Sequence, residues 1–159
     1  MRTLLAACVL FVGTLAHADA SVPPSGGSGS AVMASLERTA CYGRCPIYTV
    51  KVLRDGTVQW EGERFVKVTG KATAKLSAAK LAELADAFAK AGYFALKDKY
   101  TRYDITDHPS ANTSYDDGSH HKAIAHYHGD RSAPAALDQL EARIDEIVGT
   151  SKWIGRDQR

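Results

Sequence analysis

The side chains best suited to chemistry gather in two places. Cys41 and Cys45 flank Tyr42-Gly43-Arg44 and are followed by Pro46, and five of the six histidines (His108, His120, His121, His126 and His128) fall between residues 108 and 128. In an oxidising compartment the two cysteines are expected to pair. Bridging residues four apart makes the chain turn back until the Cα atoms lie within about 7 Å, and Gly43 supplies the freedom for that turn. So short a loop contributes only about 2 kcal/mol on the chain-entropy argument, so its value is in shaping the start of the strand that follows. Thiol oxidoreductases place two residues between their cysteines at a helix N-terminus; three residues, then Pro46 and a β-rich run, argue against redox catalysis. A cysteine-based zinc site lacks its second pair of ligands.

Period-2 geometry puts His126 and His128 on one strand face, where two imidazoles can grip one zinc or copper ion, with His108, Asp104 or Asp107 of the preceding loop as third ligand. The competing reading makes these histidines polar filler on the solvent face of an edge strand, where they also discourage pairing with other chains. No signature spacing completes the ligand set, so the sequence favours filler and no cofactor is expected.

The loop over residues 97–110, KDKYTRYDITDHPS, is the longest stretch without periodicity, and its Tyr100, Tyr103, Asp104 and Asp107 are the candidate binding residues. The chain has no nucleophile elbow, HExxH or phosphate-cradling glycine loop, so no catalytic residue is assigned.

The elements that must position these groups are legible from pattern. Residues 47–53 and 57–60 alternate around Asp55-Gly56, a hairpin signature. Further strands are expected over 64–68, with Gly62 as a bend or bulge, and over 71–75. Ser77 caps a helix with Leu81, Leu84, Ala85 and Phe88 at helical spacing, ended by Gly92. A second hairpin joins 110–115 to 121–128 through Asp116-Asp117-Gly118, and a last helix from Ser132 and Pro134 to Gly149 carries Leu137, Leu140, Ile144, Ile147 and Val148 on one stripe. Five or six strands and two helices in that order predict an α+β, two-layer domain with a mainly antiparallel sheet and both helices on one face.

Twenty Lys and Arg against 18 Asp and Glu give a net charge of +2. The charges are interspersed, Lys67, Lys71 and Lys75 included, so no nucleic-acid partner is expected. With 45% apolar and 24% charged residues the composition is that of a globular chain. Arg2, the apolar run 4–15 and the small-x-small sites Ala16-His17-Ala18 and Ala18-Asp19-Ala20 read as a secretory signal over 1–20, too short to span a membrane. Leu5-Ala6-Ala7-Cys8 resembles a lipobox, but too little apolar sequence precedes it, so lipid anchoring at Cys8 is not expected. A Pro/Gly/Ser tether follows over 21–33, then one domain over 34–155 and a tail over 156–159. The mature protein is expected in the periplasm or secreted, with no membrane span.

The run Cys41-Tyr42-Gly43-Arg44-Cys45-Pro46-Ile47-Tyr48 resembles the opening of a bacterial exported family of unknown function. The Asp55-Gly56-Thr57 turn, Arg64-Phe65-Val66, Tyr93-Phe94, Thr106-Asp107, Tyr127-His128-Gly129 and the closing helix from Leu137 to Trp153 extend the resemblance over about Leu36–Trp153. It implies an envelope location and a recurrent fold, and supplies no catalytic residues. The function expected is therefore a non-catalytic domain that binds a protein or envelope component; a metal-binding protein or metal-dependent enzyme built on the second hairpin is the alternative.

Overall fold

Alternation of apolar and polar residues sets which way each strand faces. A computed structural model describes residues 31–155. The leader expected over 1–20, with Cys8, nearly all of the tether and the tail lie outside the described residues. Seven strands, β1 (Val32–Arg38), β2 (Ile47–Leu53), β3 (Thr57–Arg64), β4 (Gly70–Lys75), β5 (Lys99–Tyr100), β6 (Ser110–Asp116) and β7 (His121–Tyr127), form one sheet in the order β4-β3-β2-β1-β6-β7-β5. All neighbours run antiparallel except β5 and β7.

Leu36 pairs with Val50 and Thr113, Val50 with Trp60, and Thr113 with Ile124. That whole cross-strand row is buried. In the adjacent row Ser35 pairs with Lys51 and Ser114, and the two serine hydroxyls share a 2.6 Å hydrogen bond on the open face. One face therefore takes all the apolar weight, and the helices cover that face: α1 (Ala78–Lys90), α2 (Ala135–Val148) and the short α3 (Ser151–Ile154). The architecture is the expected α+β layering.

Ser77 caps α1 by accepting from the Lys80 amide, and Gly92 follows its end in the left-handed conformation (φ 60°). Phe88 stacks on Tyr115 at 4.1 Å and meets Tyr93 edge-on. The last helix buries the predicted Leu137, Leu140, Ile144, Ile147 and Val148, but Ser132 does not cap it; that hydroxyl donates to Asp130. After α2, Trp153 on α3 extends a stack of Tyr48 on Trp60 (4.6 Å) and Trp60 on Trp153 (5.1 Å).

Three sequence expectations are corrected. The strand expected over 64–68 is absent: β3 continues through Gly62 to Arg64, and the chain then folds over it so that Val68 O accepts from Trp60 Nε1. The irregularity foreseen at Gly62 is real, because Ile47 faces Arg64 while Tyr48 faces Gly62, leaving Glu63 as the extra residue of a bulge. The central strand β1 starts at Val32, before the boundary placed at Ala34, in a segment too short and mixed to betray itself. Inside the supposedly aperiodic loop, β5 pairs with β7 at Tyr100 and His126, so the histidine strand is not the sheet edge at that point. Among the described residues no helix is long and apolar enough to cross a membrane.

Candidate functional site

Period 2 along β7 points Ile124 and His126 at the helices, and His128, just past the strand's end, keeps the same direction. Above them, Asp138, Glu141 and Asp145 recur at helical spacing along α2. Glu141 takes a place that the apolar stripe assigns to a core residue, and it is 1% exposed. Its Oε1 accepts from His126 Nδ1 and its Oε2 from His128 Nε2, both at 2.7 Å. The two imidazoles lie 4.7 Å apart; His126 is 2% exposed and His128 24%. With the exposed Asp138, one donor atom from each of these four residues lies within 4.8 Å of the others. Tyr100 meets the His126 ring edge-on at 6.2 Å and walls the cluster on the β5 side.

A second knot of polar groups touches the first. Arg38, the last residue of β1, sends Nη2 and Nε to Asp145 Oδ2 at 3.0 and 3.3 Å, while its Nη1 reaches Glu141 Oε2 at 3.6 Å. Asp145 Oδ1 accepts from the hydroxyls of Tyr48 (2.6 Å) and Thr150 (2.8 Å). Burial penalises the charge of Glu141, yet the hydrogen bonds from His126 and His128 outweigh it and hold its carboxyl below the usual range. Burial likewise works against Arg38, but Asp145, then Tyr48 and Glu141, keep its guanidinium more firmly charged than usual. An open cleft of about 430 Å³, lined in part by Arg38, Asp145, Thr150 and Ile154, lies beside this network.

Residues 33–148 match a family described as Domain of unknown function (DUF6438). The chain belongs to that family. No curated protein matches it. The shared unit runs from β1 to the last residue of α2, so Cys41, Cys45, His126, His128 and Glu141 belong to the DUF6438 domain, whereas α3 follows it.

The sequence-derived candidates divide in this DUF6438 chain. Cys41 and Cys45 are bonded, with Cα atoms 5.7 Å apart, which is compatible with an oxidising environment. His126 and His128 converge on a buried carboxylate, His126 itself buried and His128 part-exposed, rather than standing as solvated filler. His108, Asp104 and Asp107 do not join them. His108 is exposed, Asp104 bonds Arg102 and the Arg131 amide, and the Asp107 carboxylate accepts from Thr106. The helix donors Glu141 and Asp138 escaped the sequence reading, although a glutamate at stripe spacing from Leu137 and Ile144 was the available signal.

The candidate binding loop also divides. Tyr100 is buried, its hydroxyl accepting from the Lys97 amide, and presents nothing to solvent. Tyr103 is 78% exposed beside the Tyr127 ring, and Ile105, two residues on, is exposed as well. Asp107 adopts a left-handed backbone (φ 69°), and its carbonyl receives the Tyr42 amide at 3.1 Å, tying this loop to the disulfide loop. Tyr42 itself is 88% exposed.

Proposed function

We propose that this protein is an exported, non-catalytic recognition domain that docks a polypeptide of the cell envelope on the joined loops carrying Tyr42, Tyr103 and Ile105. The observation that carries the reading is that these three, of the five large apolar side chains exposed among the described residues, project from two loops bonded to each other, one of them closed by a disulfide. Tyrosine offers large contact area with a polar tip at small entropic cost, and loops held rigid in advance lose less on binding. Arg44 and Arg64, both within 5.4 Å of the Phe65 ring, add the residue type that interfaces favour. The leader-like N-terminus and the cysteine pair support export.

Photo-crosslinking in cells tests this. A photoreactive residue at position 42 is expected to capture a discrete polypeptide, Tyr103→Ser with an unchanged melting temperature is expected to abolish that capture, and a photoreactive residue at Gln59 on the open sheet face is expected to capture none. Identical products from Gln59, or none from any position, overturn the reading. Co-sedimentation with isolated sacculi that depends on the two tyrosines replaces the polypeptide with a glycan.

A further inference from the structure

We infer that His126, His128, Glu141 and Asp138 form a binding site for one first-row divalent metal ion of the zinc type. Two strand imidazoles and two helix carboxylates supply an N2O2 set, the ligand number and chemistry that a tetrahedral zinc ion takes. The dimensions are close to those required. Metal–ligand bonds of about 2.0–2.1 Å set tetrahedral ligand atoms roughly 3.3 Å apart, so each 2.7 Å histidine–glutamate contact opens by roughly 0.6 Å when an ion takes the place of the shared protons. His128 and Asp138, neither of them fully buried, are the ligands with the most room to adjust toward that spacing.

Charge supplies an independent reason. Glu141, Asp138 and Asp145 bring three carboxylates to one stretch of α2, and among the described residues Arg38 is the one guanidinium in contact with Glu141 and Asp145. Arg38 is committed to Asp145 through two nitrogens and only leans on Glu141. With neutral imidazoles the group is left two negative charges in excess, beside a glutamate removed from water. One divalent cation balances it. Protonation of the imidazoles lessens the same excess, so the rival to a metal site is a hydrogen-bonded structural network, and the two differ in what they do with zinc.

The geometry also assigns access. His126 and Glu141 form the floor, Tyr100 and β5 close one side, and His128 and Asp138 form the solvent-facing rim through which an ion enters. This site is separate from the tyrosine loops, and its test is independent of theirs.

The test is calorimetric titration of the untagged protein with zinc, alongside cobalt as a spectroscopic substitute. The expected result is one ion per chain at submicromolar affinity, a metal-dependent rise in melting temperature, and the intense visible bands of tetrahedral cobalt. His128→Ala and Asp138→Ala, at rim positions where the fold tolerates truncation, are expected to weaken zinc at least tenfold. Glu141→Gln keeps the side chain's shape and is expected to weaken it a hundredfold. His120→Ala, His121→Ala, which removes the exposed histidines beside Asp116 and Asp117, is expected to leave binding unchanged. Absence of saturable binding, binding unaltered in His128→Ala and Glu141→Gln, or binding lost only in the His120, His121 variant overturns the site.

Discussion

The Tyr48 hydroxyl donates to Asp145 Oδ1 at 2.6 Å, joining the strand that follows the disulfide loop to the helix that carries Glu141. Burial and the neighbouring Asp145 charge push the tyrosine's own ionisation well above its ordinary range, so it stays a donor at every physiological pH. Tyr48→Phe keeps the ring stacked on Trp60 and removes only this bond. A hydrogen bond to a charged group is worth about 1.5–3 kcal/mol. Because Arg38 and Thr150 still serve Asp145, the expected loss is at the lower end, about 1.5 kcal/mol. Urea unfolding checks it, with a lowered midpoint at an unchanged slope.

Gly62 is held by space rather than by backbone conformation. A Cβ there would lie 2.2 Å from Val68 O and 2.9 Å from both Trp60 Nε1 and Val66 Cγ2, so Gly62→Ala forces the 65–69 turn off the sheet. The expected loss is about 3 kcal/mol, the upper end for overpacking. Gly70, by contrast, has open space around its Cβ position and a positive φ of 75°, so Gly70→Ala costs only the backbone strain, about 1 kcal/mol. Thermal unfolding of the two variants side by side is the check, and a larger loss at Gly70 would refute the packing account.

The difference between those glycines shows what the sequence could convey. The period-2 runs around Asp55-Gly56 and Asp116-Asp117-Gly118, and the helical stripes of α1 and α2, were legible because each follows from residues close in sequence. The place of β1 between β2 and β6 was not, since pairing of Leu36 with both Val50 and Thr113 is a long-range choice. The same holds at the site. His126 and His128 share a face by local geometry, but the partner that meets them comes from a helix 13 and 15 residues onward, and only a charged residue inside an apolar stripe hinted at it. Burial of His126 follows from β5 pairing beside it, which two residues of strand could not announce.

Replacing Cys41 and Cys45 with serine is expected to lower stability by about 2 kcal/mol without unfolding the domain, since the loop closed is very short. The buried sheet face and the helical stripes, which supply the core, lie outside it. Free-thiol titration of the natively purified protein is expected to find none at these positions. Chemical unfolding of the double variant then reads the loss directly. The recognition proposed for the Tyr42 loop is expected to suffer more than stability, because the covalent bond that closes the loop is gone and backbone contacts such as Tyr42–Asp107 are left to hold its shape.

Asp130 gives the fold its clearest acid sensitivity. Its carboxylate accepts from the Ser132 hydroxyl at 2.7 Å, the Arg102 amide at 2.8 Å and the Ser132 amide at 2.8 Å, pinning the exposed Tyr103 loop to the turn before α2. The Ser132 hydroxyl first, and then these amides, lower its carboxyl from the ordinary 3.8 to about 2. Between those two values the unfolded chain binds a proton that the folded chain does not, so stability rises with pH across that interval. The contribution is fully present above about pH 4 and is lost as pH falls through about 2. Nuclear magnetic resonance is expected to show the Arg102 and Ser132 amide shifts titrating together with a midpoint near 2. In Asp130→Asn, which keeps an acceptor but cannot take the proton, that titration disappears, and the difference in melting temperature from the parent protein narrows as pH falls from 4 to 2. Amide shifts that titrate near the ordinary carboxylate value instead would mean that the three bonds do not hold the Tyr103 loop in solution.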